Sequence, residues 1–528
     1  MKWFIKKMLT WSILLAILLV GGAWSYFAFT AWRAAPLQAW HTFVPREMTA
    51  SALGAASWHE YIVHENQVFK EVYEHVIRTI PESEKTPMNR YYENSLVYPP
   101  SLAHDWNRSY VLYPEGAPKG AVVLLHGLTD TPYSLRSIAR LYVQNGFVAF
   151  GIRLPGHGTV PAALTAIRWQ DWSAATHLAM REAAKVAAPD KPLHMVGFSN
   201  GGALAVKYVL DRLEDPRLPR ADQVVLLSPM IGITRFAKFV GFAAVPAYFP
   251  AFAHAAWLSV LPEFNPFKYN SFPVNGARQS YLLCAFLQRQ IERLSTTEAF
   301  ATLPPMLTFQ SVLDYTVSAP AVLYYLYAFL PENGSELVLF DVNRASLLKW
   351  LLRDKALTSL QRMTPKTPQR YTLSTIQNRT HGNPMTMLAT KKAGEQETSY
   401  TELDYIYPQT VFSLSHGAIP FPEEDSLYGT SPAPEEAYRY GVTLGNLVMR
   451  GERGALLVPL DAMLRMSSNP FFPFMLDKIA QGIADSRPPI SAPRILPQVP
   501  RDPGAEQEMY QEFFYERAIA DSDGASIF

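Results

Sequence analysis

A chain of 528 residues is too long for a minimal domain and long enough to bury a large core, as one enlarged domain or as two. Its 47 lysines and arginines balance 46 aspartates and glutamates, which argues against a nucleic-acid partner and leaves no acidic tail. The single cysteine, Cys284, excludes an intramolecular disulfide and a cysteine-cluster metal site.

Residues 1–33 open with Lys2, Lys6 and Lys7 and then carry no charge from Leu9 to Trp32. The core of this stretch, Ile13 to Val20, leads into Trp24, Tyr26, Phe27 and Phe29. That is long enough to cross a bilayer, with aromatics where an interface would lie. The excess of positive charge before it predicts a cytoplasmic N-terminus, with the bulk of the chain on the extracytoplasmic, periplasmic side. The alternative, a cleaved signal peptide, is disfavoured by the length of the apolar stretch and by the lack of a small-x-small cleavage site.

Residues 34–108 read as a helical preface, with Tyr61, Ile62, Val68, Phe69, Val72, Tyr73, Val76 and Ile77 at helical spacing and Pro81 as the stop. From 109 to 230 the texture changes. Val122–Leu125, Phe147–Phe150, Leu193–Val196 and Val224–Leu227 are short, apolar runs, broken only by His194, as strands buried on both faces of a parallel sheet would be. Helical stretches Tyr133–Asn145, Trp169–Val186 and Gly202–Leu213 alternate with them, which predicts an α/β fold, a doubly wound and mostly parallel sheet.

Residues 231–303, rich in Phe236, Phe239, Phe242, Tyr248, Phe249, Phe252 and Trp257 and cut by prolines, are expected to form a helical lid over a site. The core is expected to resume over 304–484, with strands at Pro305–Phe309 and Leu337–Phe340 and a helix from Ser318 to Leu330. An insertion at 341–410 contains a strand-like run, Tyr371–Ile376. Residues 485–528 form a proline-rich tail.

Gly197-Phe198-Ser199-Asn200-Gly201 stands between a strand and a helix, where small neighbours let a serine turn project its hydroxyl from the end of a sheet. After the strand ending at Leu125 comes His126-Gly127-Leu128-Thr129-Asp130. The N–H groups of Leu128 and of Asn200 would together hold an oxyanion, and His126 suits support of the loop better than proton transfer. Asp314, just past a strand, is the candidate orienter for a base, with Asp341 as its rival. His416, in Val411 to Gly417, is the candidate base, with His381 as the alternative.

Three motifs in order, Leu124 to Pro132, Arg153 to Thr159 and Gly197 to Gly202, resemble α/β-hydrolases of the bacterial carboxylesterase and monoacylglycerol-lipase group. The resemblance covers residues 110–230 well and the rest more loosely. It implies Ser199 as nucleophile, Asp314 and His416 completing a triad, Leu128 and Asn200 at the oxyanion hole, and no metal or organic cofactor. The acid and histidine stand farther apart than in that family. A membrane-anchored serine esterase acting on apolar, lipid-like esters is the function expected. Acyl transfer, thioester or peptide hydrolysis by the same triad, and a silent membrane-tethered binding protein, are the alternatives.

Overall fold

The computed structural model describes residues 36–187, 190–232, 250–365, 367–432, 443–446 and 467–485, together with scattered residues between 3 and 25. Twelve strands are described: β1 (Tyr110–Leu112), β2 (Gly120–Leu125), β3 (Phe147–Ile152), β4 (Leu193–Phe198), β5 (Gln223–Leu227), β6 (Trp257–Ser259), β7 (Phe272–Pro273), β8 (Met306–Ser311), β9 (Glu336–Phe340), β10 (Thr372–Asn378), β11 (Met385–Lys391) and β12 (Ser399–Ile406). All but β6 and β7 join one sheet in the order β1-β3-β2-β4-β5-β8-β9-β10-β11-β12. The strands from β3 across to β10 run parallel, while β1 at one edge and the β10-β11-β12 meander at the other are antiparallel.

The apolar runs are explained by burial on both faces. Ala121, Val123 and Leu125 of β2 join one core cluster and Val122 and Leu124 the other, because successive side chains leave a strand on opposite sides. Six longer helices are described: α1 (Trp58–Val72), α2 (Arg136–Gln144), α3 (Trp169–Ala187), α4 (Asn200–Glu214), α5 (Val274–Leu294) and α6 (Phe472–Asp485). Helices α3, α4 and α5 contribute to the first cluster and α2 and α6 to the second. The chain passes from β2 through α2 to β3 on one side, then through α3 to β4 on the other. Strand order therefore reverses between β2 and β4, and the crevice beyond their carboxyl ends is where such folds bind ligands.

The preface is ordered around α1, which Ser57 caps: its hydroxyl accepts from Glu60 N–H, and the Glu60 carboxylate accepts from Ser57 N–H at 2.8 Å. The helix widens into a single π turn over Tyr73–Ile77 and ends before Pro81. Its buried residues are Tyr61, Glu65, Val68, Glu71 and Val72, so carboxylates lie within an otherwise apolar face, Glu65 in its middle.

Two expectations change. Part of the stretch expected as a lid is a core helix: Leu283, Cys284, Leu287 and Ile291 of α5 are buried against α3 and α4, since they recur at three- and four-residue steps. Residues 233–249, which hold Phe236, Phe239, Phe242, Tyr248 and Phe249, lie outside the described residues. The insertion at 341–410 holds more strand than the single run read from the sequence, because β10, which contains most of Tyr371–Ile376, is joined by β11 and β12 and the sheet is extended by three strands. Most of the apolar stretch 9–32 also lies outside the described residues; Leu14, Leu15 and Leu18, which are described, are helical. Among the described residues no helix is long and apolar enough to cross a membrane. The proline-rich tail and most of 433–466 are likewise outside them.

Candidate active site

Strand β4 delivers Ser199 in a conformation few side chains adopt, with φ 53° and ψ −114°. Such backbone costs on the order of 1–3 kcal/mol and persists only where its surroundings impose it. Here they do. Ser199 N–H donates to Leu227 O at 2.9 Å, and Ser199 C=O accepts from Gly202 N–H and Met230 N–H, each at 3.0 Å. A Cβ at Gly201 would overlap the Leu125 carbonyl at the end of β2, so the turn closes against that strand only with glycine there. Thr129 (φ 59°) and Ser228 (φ 40°) are the other non-glycine residues with positive φ among those described, and they follow β2 and β5, either side of β4. Strain is thus concentrated at adjoining strand ends.

Asp314 follows β8 and is buried. Its Oδ1 accepts from Thr316 N–H at 2.9 Å and Val317 N–H at 3.0 Å; its Oδ2 accepts from Gln310 Nε2 at 3.1 Å and His416 Nδ1 at 2.8 Å. Burial alone would push this carboxyl up, but the His416 imidazole beside it and these donors hold it below its ordinary value. With Nδ1 donating to Asp314, Nε2 of His416 is the basic nitrogen. The imidazole stacks on Phe198, the residue before Ser199, with ring centroids 5.1 Å apart.

Acid and histidine are 102 residues apart in sequence, and Asn343 accounts for their meeting. Just beyond β9, its backbone N–H donates to Phe412 O at 2.8 Å, while its side-chain amide donates to Pro408 O at 2.9 Å and Val411 O at 2.8 Å. The segment leading to His416 is thereby pinned beside β9 although three strands intervene in the chain. The rivals are placed elsewhere. Asp341 is engaged with Arg344 at 3.1 Å, and burial pushes its carboxyl up despite that cation. His381 is exposed at the turn between β10 and β11.

The loop after β2 is set by His126. Its Nε2 accepts from Leu154 N–H at 3.0 Å, so Nδ1 carries the proton and donates to Gly127 O at 2.9 Å. Burial, then the neighbouring His157, hold His126 far below its ordinary value, hence neutral. The Gly127 carbonyl and the Leu128 N–H share one planar trans peptide and point opposite ways, so fixing the carbonyl aims the N–H. Among the described residues no hydrogen bond uses the N–H of Leu128 or of Asn200. The loop passes close to the elbow, since a Cβ at Gly127 would stand 3.3 Å from that of Ser199.

Sequence reasoning missed the brace behind the Arg153–Gly158 loop. Arg153, buried, meets Glu65 through Nε at 3.0 Å and Glu47 through Nη1 and Nη2 at 2.7 and 2.9 Å; Glu47 also accepts from Gly156 N–H at 2.9 Å. Both carboxylates come from the preface. Glu65 on the buried stripe of α1 was the available signal. Tyr269 was missed as well. Its hydroxyl accepts from Thr159 N–H at 2.8 Å and its own N–H donates to Thr129 O at 2.8 Å, joining the two loops. Among the described residues no cluster of histidine, cysteine or carboxylate side chains could hold a metal ion.

Residues 116–313 match the family described as serine aminopeptidase, S33. A thermostable monoacylglycerol lipase of Bacillus sp. (strain H-257) is 40% identical over 62 residues, 12% of this chain and 24% of the lipase; the chain thus spans about a quarter of that relative's length. Among solved structures, one described as LipS and LipT, two metagenome-derived lipolytic enzymes, is 22% identical with a TM-score of 0.36, over 45% of this chain and 88% of its own. A soluble variant of monoglyceride lipase from Saccharomyces cerevisiae is 16% identical with a TM-score of 0.32, over 44% and 81%. The strand order and the family match identify an α/β-hydrolase fold that resembles esterases and monoacylglycerol lipases.

Proposed function

We propose that this protein is a serine hydrolase that cleaves carboxylic esters with apolar, lipid-like groups through an acyl-enzyme. The observation that carries the proposal is the Asp314–His416 hydrogen bond of 2.8 Å, stacked against the strained turn that presents Ser199. In the first step Ser199 Oγ attacks the ester carbonyl carbon while His416 Nε2 takes its proton. The electron pair displaced onto the carbonyl oxygen is met by the N–H groups of Leu128 and Asn200. The tetrahedral adduct collapses as the alkoxy group leaves with the proton from Nε2, giving an alcohol and acyl-Ser199. Water repeats the sequence and releases the acid. Asp314, ionised throughout, stabilises the imidazolium formed in each half.

The aromatic-rich sequence over 231–303 favours an apolar acyl group, and the uncharged stretch from Leu9 to Trp32 behind Lys2, Lys6 and Lys7 supports a membrane anchor with the hydrolase part outside the cytoplasm. A second reading, cleavage of peptides, is favoured by the description of the matched family. Full-length protein in detergent, assayed on matched ester, thioester and aminoacyl-amide series, separates the two. Turnover of alkyl esters that Ser199→Ala abolishes is expected, and turnover of amides alone would overturn the ester reading. Resistance of the chain to carbonate extraction from membranes tests the anchor; full release would sink it.

A further inference from the structure

A cavity of about 360 Å³ lies between the preface and the loop that follows His157, and none of its lining residues belongs to the triad or to the loop after β2. Its volume falls in the range of roughly 300–1,000 Å³ that small-molecule sites occupy. Phe69, Val72, Tyr73, Ile77, Tyr98 and Pro99 supply apolar wall, while Lys70, Arg90 and Arg108 face a single carboxylate, Asp105.

The cations are unevenly satisfied. Arg108 lies over the Phe69 ring at 3.9 Å and reaches Asp105 at 3.3 Å. Lys70 is 66% exposed and meets Glu74 only at 3.9 Å. Arg90 is 2% exposed, and its terminal nitrogens donate only to neutral oxygens, the carbonyls of Asn265, Lys268 and Gly158 and the side chain of Asn107. Its Nε–H has no acceptor. A buried guanidinium is ordinarily bonded to an anion; Arg90 feels the charge of the buried Glu263 carboxyl without a hydrogen bond to it, and within the cavity lining three cations border apolar walls beside one carboxylate.

We propose that this cavity binds the carboxylate form of an apolar acid, with the head toward Arg90, Arg108 and Lys70 and the body against Phe69, Tyr73 and Tyr98. The Nε–H of Arg90 that lacks an acceptor can donate to a carboxylate oxygen, the charges of Arg108 and Lys70 add attraction, and the aromatic walls remove an alkyl or aryl body from water. The choice of a carboxylic acid over other anions rests on the proposed ester cleavage, which releases one; the cation-lined cavity does not. Its floor, Gly158 and Thr159, is bonded through Tyr269 to Thr129, so an occupant sits close behind the loop after β2.

The test is calorimetric titration of full-length Ser199→Ala protein in detergent with decanoate and with decanol, repeated on a Lys70→Glu, Arg108→Glu double variant. Both side chains are at least partly exposed, so the double variant is expected to keep its unfolding temperature. Decanoate is expected to saturate one site at least tenfold more tightly than decanol, and the double substitution to weaken it at least tenfold. Equal binding of decanol, or decanoate binding that the double variant retains, overturns the proposal, as does no saturable binding. Loss of ester turnover as a proposed activity would leave these outcomes readable, because the titration uses no catalysis.

Discussion

Replacing Glu47 by alanine removes the two oxygens that hold Arg153 Nη1 and Nη2 at 2.7 and 2.9 Å and leaves Gly156 N–H without its acceptor. The side chains of Arg153 and Glu47 are 0% and 3% exposed, so water cannot replace the lost partner without opening the packing. Breaking one side of a buried ion pair costs about 3–5 kcal/mol, because the remaining charge stays desolvated. Glu65 still contacts Nε at 3.0 Å and keeps the loss within that range rather than above it. For a chain this large the size scaling of unfolding gives roughly 1–2 °C per kcal/mol, hence a fall in apparent unfolding temperature of about 3–10 °C. Differential scanning fluorimetry of the detergent-solubilised protein measures it, with Glu47→Gln expected between wild type and alanine. Because Gly156 precedes His157, ester turnover should fall as well. An unchanged unfolding temperature in Glu47→Ala would refute the brace.

Three further outcomes are expected. Asp314→Asn should lower ester turnover by about 10⁴-fold with little change in KM, as when a triad carboxylate becomes an amide, whereas His381→Ala and Asp341→Asn should not reach that loss. His126→Ala leaves the Gly127 carbonyl held only by the longer bond from Asp130 N–H at 3.4 Å and should cost up to about 10²–10³ in kcat, the range for losing one oxyanion donor, with the Ser199 hydroxyl left in place. Burial lowers His157 to about 4 and His194 to about 3, in each case as the main cause. Their folded values lie below the unfolded one, so the unfolded chain takes up protons first. Stability should be flat above about pH 7 and fall as pH drops from about 6.5 toward 4. Unfolding temperature followed across that interval tests this, and His194→Gln should flatten the slope; a slope identical to wild type would contradict it.

The parts legible in the sequence are those whose signals are local. The turn at Ser199 announces itself through its glycines and its flanking strand and helix, and the strands β2 to β5 through mainly apolar runs that two covered sheet faces require. Asp314 was legible as a polar residue just past a buried strand. His416 was legible as the base for it to orient, but the means of their meeting was not, since it depends on Asn343 pinning a distant segment across three added strands. Helix α5 was misread because the proline- and aromatic-rich sequence before it dominates the stretch, masking the spacing of Leu283, Leu287 and Ile291. The Arg153 brace leaves a single trace, a glutamate on the buried stripe of α1, because ion pairs between segments 88 and 106 residues apart have no periodicity to detect.

The central claim is that Ser199 is a nucleophile activated by His416. Incubating the full-length protein with a fluorophosphonate and mapping the adduct by mass spectrometry tests it most directly. The account predicts one adduct, on Ser199, absent in Ser199→Ala and slowed by at least a hundredfold in His416→Ala. Folded protein that takes no label, or an adduct on another residue, would contradict it.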